Sequence, residues 1–194
     1  TSGTDNDLFG FELTYARTKD NNAGYLNGNI GQMIWQSSLD GVQRQYDYTY
    51  DGLNRLTSAD YSDNDTKAYG QNERPDFDVS NLTYDLNGNI KTLTRKGLLT
   101  SDVQLNRTFG TMDDLTYQYR GNQLTQVEDA ENSTTSGVAG DFRNKHVATA
   151  GNPDYSYDVN GNMIQDKNKE ITSIVYNYLN LPTVIEFTEG RRIE

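Results

Sequence analysis

Tyr155-Ser156-Tyr157-Asp158-Val159-Asn160-Gly161-Asn162-Met163 decides the fold class of this chain. Apolar or aromatic residues at every second position mark a strand, because successive side chains of an extended chain point to opposite faces. Asn160-Gly161 then supplies a dipeptide that accepts positive φ, as a reversal between two strands requires. Met163 opens a second apolar segment six residues after Tyr157. The stretch therefore predicts a β-hairpin.

The same pattern recurs along the chain. Tyr50-Asp51-Gly52-Leu53-Asn54-Arg55-Leu56 and Tyr84-Asp85-Leu86-Asn87-Gly88-Asn89-Ile90 align with it directly. Tyr119-Arg120-Gly121-Asn122-Gln123-Leu124 is one residue shorter, and Tyr25-Leu26-Asn27-Gly28-Asn29-Ile30 displaces the tyrosine. Tyr178-Leu179-Asn180-Leu181-Pro182-Thr183-Val184 reads as a degenerate last member. The anchors Tyr50, Tyr84, Tyr119, Tyr157 and Tyr178 are 34, 35, 38 and 21 residues apart. A unit of about twenty residues with variable insertions indicates an array in which each unit buries its apolar face against a neighbour. The units fall near 25–61, 78–95, 112–129, 153–170 and 171–187, with no boundary between two domains.

One spacing does not suit a flat strand. After each turn the apolar positions step by three: Ile30/Met33, Leu56/Ala59, Ile90/Leu93, Leu124/Val127, Val184/Phe187. A step of three puts two residues on opposite faces of a regular strand, so the pattern predicts either a β-bulge after the turn or a sheet covered on both faces. No helix is predicted. The polar stretches Ser62–Asp76 and Glu128–Asp154 read as long connections.

Composition fits such an array. Of 194 residues, 34% are hydrophobic and mean hydropathy is −0.85, a thin supply for an ordinary core. Yet there are 14 tyrosines, 17 glycines and 3 prolines, so tyrosine stands in for aliphatic core material. The stripes Tyr46/Tyr48/Tyr50 and Leu115/Tyr117/Tyr119 read as the packing surface of the sheet, and Trp35 as part of it rather than a ligand contact.

A net charge of −11, from 28 acidic and 17 basic residues, argues against a nucleic-acid partner or an anionic membrane surface. No stretch approaches the roughly 18 apolar residues of a membrane span. With no cysteine and a single histidine, His146, thiolate chemistry and two-histidine metal sites are excluded. Asp85-x-Asn87-x-Asn89 and Asp158-x-Asn160-x-Asn162 imitate the start of a calcium loop, but its glycine and glutamate positions hold Ile90 or Met163 and Lys96 or Lys169. Turn formation explains these residues without a metal. Asp63-Asn64-Asp65 reads as a solvated loop tip. Asp113-Asp114 is a poor acid–base pair, since neighbours on a strand face apart. The residues assign no enzymatic activity, cofactor or metal.

The units resemble YD repeats, the building block of the RHS-repeat family. The resemblance rests on Tyr50-Asp51 with Arg55-Leu56, Tyr84-Asp85 with Gly88-Asn89-Ile90, and Tyr157-Asp158 with Gly161-Asn162-Met163. Tyr48–Thr57 and Asp166–Pro182 are similar to the Bacteroidota form. Tyr119, Gly121 and Tyr178 complete the repeat positions, with Arg120, Leu179 and Pro182 departing from the pattern. The resemblance implies an all-β array of antiparallel hairpins in a spiralling β-shell that encloses or presents another domain, a toxin in some members. It implies a secreted or cell-surface scaffold, a segment of a longer chain, partnered by its own shell, an enclosed C-terminal domain, and secretion machinery or a surface ligand. Asn152-Pro153-Asp154 does not match the family's Asp-Pro-x-Gly self-cleavage motif, so no catalytic residue is carried over. The alternative expectation is an adhesin-like module binding carbohydrate or protein, of a type IX-secreted, attachment-associated kind.

Overall fold

The computed structural model describes residues 7–15, 24–65, 74–101, 107–131, 140–149 and 151–194. Within them the chain is all-β and antiparallel. The strands are β1 (Phe9–Thr14), β2 (Gln32–Ser37), β3 (Gln43–Tyr50), β4 (Leu56–Asp63), β5 (Val79–Tyr84), β6 (Ile90–Ser101), β7 (Arg107–Arg120) and β8 (Gln123–Asp129). These eight pair in chain order as one sheet. A second sheet, ordered β13-β12-β11-β10-β9, is built from β9 (Tyr155–Tyr157), β10 (Met163–Asp166), β11 (Ile171–Tyr176), β12 (Pro182–Phe187) and β13 (Arg192–Ile193). The one helical element among the described residues is a 3₁₀ turn at Thr188–Gly190.

At Leu56/Ala59 and Leu124/Val127 the step-of-three spacing is a β-bulge, whereas Val184 to Phe187 are paired without an extra residue on their own strand. Tyr50 pairs with Leu56 and Thr49 with Ser58, leaving Thr57 without an opposite number. Tyr119 pairs with Leu124 and Gln118 with Gln126, leaving Thr125; Tyr157 pairs with Met163 and Ser156 with Gln165, leaving Ile164. The extra residue shifts the pleat by one, so Leu56 and Ala59 come to lie opposite Tyr50 and Tyr48 on one face.

The last unit needs a correction of register. Tyr176, not Tyr178, pairs with Pro182, and Val175 pairs with Val184, leaving Thr183 as the bulge residue. Tyr178 sits inside the turn and is 92% exposed. The Tyr-x-Tyr alternation conceals which tyrosine ends the strand, and the pairing resolves it by placing Asn177 where other units carry aspartate.

The chain divides into two units, and among the described residues the division passes within β5, β6 and β7. Among the described residues, the first unit runs to Thr83 and includes Leu93–Met112. Its buried apolar residues are Val42, Ala59, Leu82 and Met112. Beside them lies an aromatic chain: Trp35 stacks on Tyr46 with centroids 5.5 Å apart, Tyr46 meets Tyr61 edge-on at 5.6 Å, Tyr61 meets Phe77 at 5.2 Å and Phe77 meets Phe109 at 5.4 Å. Offset and edge-on rings add to the area they bury, which is how a sheet poor in leucine holds its face together.

The second unit comprises Tyr84–Thr92 and the described residues from Asp113 onward. Leu115, Val127 and Tyr155 are its buried apolar residues, against five buried polar ones: Asp113, Asp129, Asp154, Asp166 and Asn168. A buried carboxylate is stable only when hydrogen-bonded, and here most of the partners are backbone N–H groups. Asn168 Oδ1, for example, accepts from the N–H groups of Lys145 and His146. The Glu128–Asp154 connection is therefore pinned in its described parts; 132–139 and 150, like 66–73 of the Ser62–Asp76 connection, lie outside the described residues. Asp63 is no solvated tip: it ends β4 with its side chain 3% exposed and ion-paired to Arg74 at 2.7 Å.

Candidate functional site

The repeated turn is the feature on which the predicted residues converge. Asp51 N–H donates to the Arg55 carbonyl at 2.9 Å, and Asn54 N–H donates back to the Asp51 carbonyl at 3.0 Å. The equivalent pairs recur at Asp85/Asn89 with Gly88, at Asp158/Asn162 with Gly161, and at Asn177/Leu181 with Asn180. This is a three-residue hairpin loop, a type I turn followed by one left-handed residue. The left-handed position is held by Asn54 (φ 62°), Gly88 (φ 88°), Gly161 (φ 86°) and Asn180 (φ 57°). Asparagine and glycine are the residues that accept it. Asp51-Gly52 has the dipeptide signature of the reversal, yet positive φ falls two residues later, on Asn54. Tyr119 differs: Arg120 pairs with Gln123, and Gly121 (φ 63°) opens a two-residue loop.

The aspartate after the tyrosine is the hub of each loop. Asp158 Oδ1 accepts the N–H groups of Asn160 and Asn162 at 2.9 and 2.8 Å, while Oδ2 accepts the Asn162 side-chain amide at 2.9 Å. Asp85 does the same with Asn87 and Asn89, and Asp51 with Leu53, Arg55 and the Arg55 guanidinium. These donors favour the charged form, so all three carboxyls sit below the usual range. The cause is chiefly the Arg55 N–H for Asp51, and the Asn89 and Asn162 side-chain amides for Asp85 and Asp158. Asn177 fills the slot without charge, accepting from Leu179 and Leu181 N–H.

The tyrosine before it joins one hairpin to the preceding one. Tyr50 Oη donates to the Ile30 carbonyl at 3.0 Å, Tyr157 Oη to Leu124 at 3.0 Å and Tyr176 Oη to Met163 at 2.7 Å. Each acceptor lies within two residues of the end of the preceding turn: Met163 opens β10, and Leu124 is the second residue of β8. The β10–β11 ladder consists of Asp166↔Ile171, so the hydroxyl replaces a strand bond at the turn end where the two strands part. Asparagines link neighbouring turns as well: Asn27 and Asn29 donate to Asn54 Oδ1, Asn89 to Asn122 and Asn162 to Asn180 at 3.0 Å.

Sequence reasoning missed the buried carboxylates. Asp154 is fully buried; Oδ2 accepts Val127 N–H at 3.1 Å and Oδ1 lies 2.8 Å from His146 Nδ1. His146 Nε2 faces the Asn152 amide nitrogen at 2.9 Å, whose oxygen takes the Lys167 ammonium. An amide nitrogen only donates, so a neutral His146 carries its proton on Nδ1, facing Asp154. Asp113 Oδ1 accepts Phe142 N–H at 2.8 Å, whereas Asp114 is exposed, on the opposite face as strand alternation requires. Asp129 Oδ1 accepts the N–H groups of Asp114 and Glu131. Burial, with the charges of Asp113 and Asp141, pushes the Asp129 carboxyl up. The available signal was position: Asp78 and Asp154 immediately precede β5 and β9, and each accepts an N–H of the strand before, Tyr61 and Val127.

No protein-family model and no curated protein matches the chain.

Proposed function

We propose that the chain is a scaffold segment of a secreted or cell-surface YD-repeat protein, a β-wall that encloses or presents another domain. The observation that supports this reading is the tyrosine clamp. Tyr50, Tyr157 and Tyr176 each spend their hydroxyl on the backbone of the preceding hairpin, so the residue that names the repeat is occupied in joining units. The aspartate beside it is likewise turned into its own loop. Side chains committed in this way serve architecture rather than turnover of a ligand.

A glycan array probed with the purified chain, together with limited proteolysis, tests the reading. A scaffold gives no saturable glycan binding, and replacing Tyr50, Tyr157 and Tyr176 together by Phe opens the hairpins to protease. Saturable binding to a glycan class, unaffected by the triple substitution, overturns the proposal in favour of an adhesin-like module.

A further inference from the structure

Three aspartates of the second unit converge from separate parts of the chain: Asp113 on β7, Asp129 at the end of β8, and Asp141 in the connection beyond it. One carboxylate oxygen from each lies within 4.8 Å of the other two. Asp113 is 1% exposed and Asp129 is 5% exposed. Asp129 Oδ1 is occupied by two backbone N–H groups, but its Oδ2 is buried with no hydrogen-bond partner. A buried orphan oxygen beside two further carboxylates is a costly arrangement: like charges repel, and Asp113 and Asp129 have lost their water.

We propose that Asp113, Asp129 and Asp141 form a binding site for a hard divalent cation of the calcium class. Calcium is bound by 6–8 oxygens at about 2.3–2.6 Å in adaptable geometry, and two oxygens on opposite sides of such an ion are about 5 Å apart. The three carboxylate oxygens fall inside that span. Backbone donors anchor two of the carboxylates: Phe142 N–H holds Asp113, and Asp114 and Glu131 N–H hold Asp129 through Oδ1. Magnesium, which demands near-octahedral geometry at about 2.0–2.1 Å and keeps several waters, suits a buried set of carboxylates poorly. A bound ion ties β7 and β8 to the segment at Asp141, fastening the connection between β8 and β9 to the sheet. This site is separate from the Asp85 and Asp158 loops, whose carboxylates point at their own N–H donors.

Thermal melts of the intact chain in EDTA, calcium chloride and magnesium chloride, paired with terbium luminescence sensitised by tyrosine, test the assignment. Saturating calcium should raise the midpoint by about 5 °C or more, and terbium emission should saturate and be displaced by calcium. Asp129→Asn should abolish both responses, yet in EDTA melt at or above the unsubstituted chain: Oδ1 keeps its N–H donors while the new amide nitrogen donates to a neighbouring carboxylate. A merely structural Asp129 would leave the variant less stable in both buffers. Asp141→Asn, at a half-buried position, carries the same test if Asp129→Asn fails to fold. The proposal is overturned if neither calcium nor terbium produces a response, if both variants keep it, or if magnesium matches calcium.

Discussion

Tyr176 Oη donates to the Met163 carbonyl at 2.7 Å, from the strand β11 to the first residue of β10. Tyr50 with Ile30 and Tyr157 with Leu124 repeat the relationship, each across one hairpin boundary. A phenol is well suited to this: its ring packs on the sheet while its hydroxyl reaches a carbonyl that strand pairing leaves open.

Tyr176→Phe should therefore cost about 0.5–1.5 kcal/mol, the net worth of one hydrogen bond. Tyr178→Phe, at a position 92% exposed, should leave the denaturation midpoint unchanged. Urea unfolding of the two variants measures the difference; a larger loss for Tyr178 would restore the register read from sequence.

Gly161→Val should destabilise by about 1–2 kcal/mol, because a β-branched residue resists the left-handed region. No atom lies within 4 Å of the added Cβ, so the cost is backbone strain rather than collision. Gly161→Asn should be close to neutral, since Asn54 and Asn180 hold the same conformation in sister turns. Matching losses for both variants in thermal melts would refute the turn assignment.

Acid should weaken the hairpins. Asp51, Asp85 and Asp158 have folded-state values below the ordinary one, so the unfolded chain binds more protons and stability rises with pH through this window. The contribution is complete above about pH 3.9 and is lost as pH falls through the lowered values. Asp129, whose carboxyl is raised, works in the opposite sense: the folded chain gains as pH falls through its raised value. Asp158→Asn keeps the two N–H contacts, as Asn177 does, and should flatten the acid limb of the stability–pH curve in melts from about pH 6 to about pH 2.5. An unchanged limb would show that the loop carboxylate is not the titrating group.

The outer edge of β1 has no strand beside it among the described residues, and β1 exposes Phe9 at 55%, Phe11 at 64% and Leu13 at 36% on one face. An unpaired apolar edge is a template for another strand. The chain should self-associate at micromolar concentration, and lysine at positions 9 and 11 should shift it toward monomer in sedimentation velocity. A monomeric unsubstituted chain would exclude this edge as a joint.

The hairpins, their turns and the bulge were legible in sequence because they are local. Tyrosine alternation, an Asx-to-glycine stretch and a step of three each report geometry within about ten residues, and Thr57 and Thr125 occupy the extra positions that the spacing implied, while the bulge at Ile164 carried no such signal. Residues distant in sequence carry no such period. The choice of Tyr176 over Tyr178, the hydroxyl clamps and the burial of Asp63 depended on which strand lay alongside. The meeting of Asp113, Asp129 and Asp141 belongs to the same class: alternation correctly turned Asp113 away from Asp114, but a carboxylate's surroundings are decided by segments that only tertiary pairing brings together. Local hydrogen bonding and steric preference write themselves into adjacent residues. Desolvation and charge coupling act through space and become defined only once the sheet has formed.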